Sequence, residues 1–365
     1  MKTARLLGNG SLLVLLSSAI AAACGDGGTV LQTTDAGGDS SLDAAADSST
    51  EAGKDASFTD ALTEASADAD PDACPPGFGP DGDGGCVSLT VRRPFLVGAS
   101  MRSSLSSTRS DWNLAIAPSV DELDRPTREA LAEAWLRDAL EEHASIAAFA
   151  RFTMLMLSVG APPELVLASQ RASVDEIHHA RACFALSERY SHMTRGPAPL
   201  PVHDSMSLMS LAQLAALTAE EGCVGETLGA ALAAHQLERA TDPVARRILR
   251  KIAADEARHA ELAWRFVAWA VHQGGRDVAL AVQAAVKRAC ASTLAMEIRS
   301  YDGIDLDAWH AHGRVTCAEA REVARNTMRE VLEPCVAQLF GERVLTRGQT
   351  QRTPLRSERS RSPSP

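Results

Sequence analysis

Apolar and polar positions repeat with a helical period across most of the chain between residues 126 and 340. From about Pro126 to Ser158 the residues Trp135, Ala139, Glu142, Ile146, Phe149 and Thr153 recur at steps of three and four, which lines them along one helix face. A second stripe over about 163–188 holds Leu165, Ser169, Ala172, Glu176, His179, Cys183 and Leu186. A third, over about 206–238, holds Leu214, Leu217, Glu221, Leu228 and Leu232. A fourth, over about 243–273, holds Leu249, Ile252, Glu256, His259, Ala263, Phe266 and Ala270. Further helices are expected at about 276–300 and 316–340.

Breaks between the stripes carry the connectivity. Asp124 or Thr127 suits the start of helix one, and "SVGAPP" turns the chain, with Pro163 in the first turn of helix two. "ERATDP" makes a short turn in which Asp242 caps helix four and Pro243 opens it. Between helices two and three runs the long, proline-bearing "RYSHMTRGPAPLPVHDS". Two tight helical hairpins joined by one long crossover predict an all-α four-helix bundle with additional C-terminal helices.

Composition changes this picture little. The chain is 45% hydrophobic and only 4% aromatic, so its core has to be built from Ala, Leu and Val, which favours closely packed helices. The net charge of -11 is local: residues 25–73 hold ten Asp, two Glu and one Lys, and the remainder is close to neutral. That leaves no basic face for nucleic acid.

The ends divide into further segments. Residues 1–23 read as an export signal: Lys2 and Arg5, then "SLLVLLSSAIAAA" ahead of Cys24. This resembles a bacterial lipoprotein signal, which implies acylation of Cys24 and a lipid anchor on the periplasmic or outer face of a membrane. Ala21 departs from that pattern, where Leu is usual, and Ala21-Ala22-Ala23 equally suits plain secretion. Residues 24–73 are expected to be a disordered acidic tether. Residues 74–117 form an irregular strap in which "VSLTV" and "RPFLVGAS" are short strands or straps, and a disulfide between Cys74 and Cys86 would close "PPGFGPDGDGG". The helical domain is expected over 118–341, and an Arg/Ser/Pro tail over 342–365.

The candidate chemistry lies on the stripes themselves. Asp-Glu-x-x-His occurs twice, as Asp175-Glu176…His179 and Asp255-Glu256…His259, with the two glutamates 80 positions apart. Positions three apart share a helix face, so each Glu and His points with the apolar stripe, while Arg171, Arg181, Arg250, Arg258 and Arg265 lie opposite. Burying such carboxylates without a cation is prohibitive, the stripes offer no Lys or Arg, and carboxylate with imidazole suits iron or manganese. On helix one Glu142 is inward, whereas Glu141 shares a face with Arg137 and Asp138. On helix three Glu221 continues the apolar stripe. Glu226, about 140° further round an ideal α-helix, is the alternative. Glu142 precedes Glu176 by 34 residues and Glu221 precedes Glu256 by 35, so one helical hairpin reads as used twice.

With these residues in view, 126–273 resembles the ferritin-like di-iron carboxylate proteins. The resemblance implies Glu142, Glu176, His179, Glu221, Glu256 and His259 as ligands of two Fe ions (Mn being possible), with Glu176 and Glu256 bridging. It also implies that Asp175 supports His259 and Asp255 supports His179, against the alternative of solvated aspartates paired with nearby Arg. It points to an O2- or peroxide-dependent oxidase or oxygenase that uses a small-molecule substrate and an electron donor. A non-catalytic metal-binding or interaction lipoprotein is the alternative. Gly222, Gly225 and Gly229 surround the helix-three carboxylate, so space beside it is needed for a substrate or for a close helix.

Overall fold

The computed structural model describes residues 78–80, 86–88, 93–98, 100–294 and 301–340. The expected signal, Cys24, the tether, Cys74 and the tail lie outside the described residues. So does the side chain of Cys86, and with it the expected Cys74–Cys86 bridge.

The molecule is built from helices. α1 (Arg125–Ser158) begins where the Asp124 carboxylate accepts from Thr127 N at 2.7 Å. α2 (Pro163–Ser191) follows a four-residue turn and ends at His192, which adopts the left-handed conformation with φ 58. Helix three is continuous but not uniform: α3 (Leu211–Thr218), a π-helical stretch (Ala219–Glu226) and α4 (Thr227–Arg239) follow without a break. It starts later than its apolar pattern predicts, because Ser210 and Gln213 form a capping box there. α5 (Pro243–Leu294) is capped by Asp242, whose Oδ1 accepts from Val244 N and Ala245 N at 2.9 and 2.8 Å. Gly275, at φ 61 and ψ -138, interrupts α5 between the two helices expected there. α6 (Leu306–Ala311), which the pattern is too short to announce, precedes α7 (Cys317–Thr327), a π-helical turn (Met328–Leu332) and α8 (Glu333–Phe340).

α1 packs along α2, and α3, the π stretch and α4 pack along α5. The two hairpins meet through α2 and α5, and α7 covers α4. Short antiparallel pairs decorate the strap: β1 (Phe78–Pro80) with β2 (Cys86–Ser88), β3 (Leu96–Val97) with β4 (Ser100–Met101), and β5 (Ser106–Ser107) with β6 (Gly196–Pro197). The last pair ties the strap to the long crossover. Phe95 is buried against Ala144 and Ala148, which presses the strap onto α1.

Two apolar cores form at opposite ends of the bundle. One gathers Phe149, Phe152, Ala172, Cys223, Ala260 and Trp264, the other Trp135, Ala139, Cys183, Ile252, Ala253 and Trp309. On α1, α2 and α5 the passage from one core to the other is made by Glu142, by Glu176 and His179, and by Glu256 and His259. These form a polar layer between two dry ones. Among the described residues no helix is long and apolar enough to cross a membrane.

Candidate metal centre

The helical spacing that puts Glu and His on one face brings α2 and α5 together with their motifs opposed. Glu176 and Glu256 are each 1% exposed, His179 1% and His259 2%. Each carboxylate divides its oxygens between the two rings. Glu176 Oε2 lies 3.8 Å from His179 Nδ1 and Oε1 3.1 Å from His259 Nδ1. Glu256 Oε1 lies 3.5 Å from His179 Nδ1 and Oε2 3.8 Å from His259 Nδ1. Glu142 on α1, 0% exposed, adds an oxygen 3.7 Å from His179 Nδ1.

Helix three differs from the expectation. The residue that joins the cluster is Glu226, and Glu221 is held elsewhere, with Arg151 Nη2 donating to its Oε1 at 3.2 Å. The reason is the π-helical stretch. Its i→i+5 hydrogen bonds spread more residues over each turn, so Glu226 swings round to a side that ideal α-helical winding denies it. Both carboxylates are buried, and both face arginines that lie outside the stripes. Arg93 comes from the strap, with its Nε 3.7 Å from Glu226 Oε1, and Arg151 comes from α1. Neither belongs to the periodic pattern of the ligand face. The sequence offered Glu226 as the alternative to Glu221, and nothing in its period announces the change of winding that turns it inward.

Among the described residues, two groups of potential ligands result, sharing Glu256: Glu142, Glu176, His179 and Glu256, and then Glu226, Glu256 and His259. Within each group one ligand atom per residue lies within 4.8 Å of all the others, a spacing that could hold a metal ion. No protein-family model, curated protein or solved structure matches the chain. The chemistry of the site therefore has to be read from its own atoms.

Those atoms could hold a cation. Asp255 Oδ2 lies 2.8 Å from His179 Nε2. Burial resists ionisation of this aspartate, but His179, Lys251 and Arg258 hold its pKa far below the usual carboxylate range, so it accepts and the ring nitrogen donates. With Nε2 directed at Asp255, the ring turns Nδ1 toward three carboxylates. His259 shows a looser counterpart, with Nε2 3.5 Å from Asp175 Oδ2 and outside hydrogen-bonding geometry. Asp175 is brought down to about 2, against burial, by His259 and Lys251. The His259 pKa stands well above the ordinary imidazole value: burial opposes its charge, and Asp175, Glu176 and Glu256 outweigh burial. Glu226 is raised well above the usual range, by burial first and then by Glu256. Among the described residues, no hydrogen-bond donor in bonding geometry reaches Glu256 Oε1, Glu256 Oε2, Glu176 Oε2 or His179 Nδ1. Buried oxygens in that condition are costly unless a metal or a proton meets them.

Asp175 and Asp255 are at once ring partners and half of a surface ion-pair cluster. Lys251 Nζ reaches Asp255 at 2.6 Å and Asp175 at 3.4 Å, and Arg258 Nη2 bridges the same two. The two sequence expectations for these aspartates are compatible, because one oxygen serves ring and cation together: Asp255 Oδ2 faces both His179 and Lys251, and Asp175 Oδ2 faces both His259 and Arg258. Phe149 closes the opposite side of His259, edge-on at 5.0 Å.

Proposed function

We propose that the helical domain is a ferritin-like four-helix bundle holding two metal ions, iron with manganese as the alternative, in a buried carboxylate–histidine centre. The single observation that carries this is the arrangement of the two rings. Each turns Nε2 toward an aspartate from the neighbouring helix and Nδ1 toward the oxygens of Glu176 and Glu256. Four buried carboxylates suit the charge of two divalent ions, Glu256 belongs to both groups, and Glu176 turns one oxygen toward each ring.

Iron in such a centre supplies electron exchange with O2 or peroxide. The chain's own part is to bind and to exclude water. Asp255 keeps the His179 Nε2 proton in place, Asp175 faces the His259 ring, the carboxylates balance charge, and Phe149 and the strap close the layer. On this reading the protein is an oxidase or oxygenase acting on a small molecule and drawing on an electron donor. It is exported and anchored through Cys24, or secreted where Cys24 is not acylated. Burial of Glu142, Glu176, His179, Glu256 and His259 to 2% exposure or less favours a second reading, a non-catalytic metal-binding protein, because a substrate needs a path to the ligands.

Metal content tests the proposal. The intact chain is loaded anaerobically with Fe(II), dialysed and measured by mass spectrometry beside Glu176→Ala and Glu256→Ala. About two metals per chain are expected, with loss in both variants while helicity persists. Absence of metal from the folded wild type sinks the proposal. Oxygen uptake by the loaded protein then separates the oxidase from the non-catalytic reading.

A further inference from the structure

Arg93 is outside every ligand set, yet it is 2% exposed and lies against the centre. Its guanidinium sits 4.6 and 4.4 Å over the rings of Phe149 and Phe152, and its carbonyl accepts from Ser145 Oγ at 2.8 Å. Room for it is made by Gly222, where an added Cβ would lie 2.9 Å from Arg93 Nη2. Arg93 Nε is 3.7 Å from Glu226 Oε1, and neither Nε nor Nη1 has a hydrogen-bond partner. A buried arginine with unsatisfied donors beside a potential ligand competes with a metal for that ligand's charge.

The two groups of ligands are unequal in the same sense. One has four members, three of them carboxylates. The other has three, of which Glu256 is shared and Glu226 faces Arg93. We propose that Arg93 is a positioning residue that holds Glu226 back, so that the two metal positions fill in order. The Glu142–Glu176–His179–Glu256 position binds first and tightly, and the Glu226–Glu256–His259 position binds second and weakly. The inference rests on the metal-centre reading and adds to it that one charge of the strap sets the occupancy of half the site.

Calorimetric titration of Mn(II) into the intact, metal-free chain tests it. The wild type gives two steps, the second weaker by about tenfold or more, as expected for an added unit charge a few ångströms from the ion. Glu226→Gln removes the second step and keeps the first. Arg93→Met, which keeps an apolar stem between the two phenyl rings, tightens the second step about tenfold, whereas Arg93→Lys leaves it weak. A purely structural role for Arg93 predicts the reverse, because loosening the strap cannot strengthen binding. Arg93→Gln carries the same expectation if the Met variant does not fold. Two equal steps in the wild type overturn the inference. So does an unchanged or weakened second step in the folded charge-removing variants, or a second step that survives Glu226→Gln. These outcomes differ from the absence of any binding, which would overturn the metal centre itself.

Discussion

Glu221 and Glu226 are 5% and 1% exposed, so burial does not separate their roles. Their partners do: Glu221 faces Arg151, and Glu226 stands between Arg93 and the pair Glu256 and His259. Burial pushes the Glu221 carboxyl up to about 7 against the pull of Arg93 and Arg151. A carboxyl whose folded pKa is raised from 4.5 binds its proton more tightly in the native state. Its favourable contribution is full below pH 4.5 and is lost as pH rises through 7. Urea unfolding of the metal-free chain at pH 5 and pH 8, beside Glu221→Gln, should therefore show the wild type losing about 1–3 kcal/mol relative to the variant over that interval. An equal pH response of the two proteins would place the Glu221 charge at its ordinary value. The histidines and their glutamates were legible from the chain because a carboxylate on an apolar stripe is anomalous and anomalies can be counted. Arg93 and Arg151 were not, because their cations arrive from a strap and from another face of α1.

Helix three shows how winding redirects side chains. Ideal α-helical geometry favours Glu221 as the inward residue, and the π-helical stretch Ala219–Glu226 turns Glu226 inward as well. A glycine-rich segment permits this, and at Gly222 the requirement is measurable: a Cβ there would lie 2.5 Å from the Ala263 Cβ on α5. Of the two uses expected for space beside the carboxylate, Gly222 serves a close helix and the Arg93 guanidinium. Gly222→Ala should lower stability by about 1–3 kcal/mol through overpacking, although alanine is the better helix former. Thermal melts of the two proteins decide it, and an unchanged or raised melting temperature would mean that α5 can yield. Local pattern identified the four long helices, since each keeps its period over many turns. It placed the start of helix three several residues early because the apolar run ahead of Ser210 imitates another turn.

At the scale of the whole molecule, two apolar cores are separated by one charged layer contributed by four helices. Such a layer costs stability unless its charges are met, so the metal binding proposed above would couple to folding. Adding a divalent ion at about 100 times its dissociation constant should raise the unfolding free energy by about 2.7 kcal/mol. Chelation should reverse the gain, and Glu256→Ala, which removes the residue common to both groups, should abolish it. Urea titrations with and without chelator read this directly, and equal stability in the two conditions would leave the layer without its cation. The sequence by itself determined the helical class, the pairing of helices into two hairpins and which face of α1, α2 and α5 carries the buried carboxylates and histidines, because these follow from spacing along one chain. Only the tertiary structure decided that Glu226 rather than Glu221 lies beside Glu256 and His259, that Asp175 and Asp255 face rings on the neighbouring helix, and that Arg93 reaches Glu226 from the strap. Each of these depends on groups far apart in sequence, or on a change of winding, and no period along the chain encodes where such groups meet.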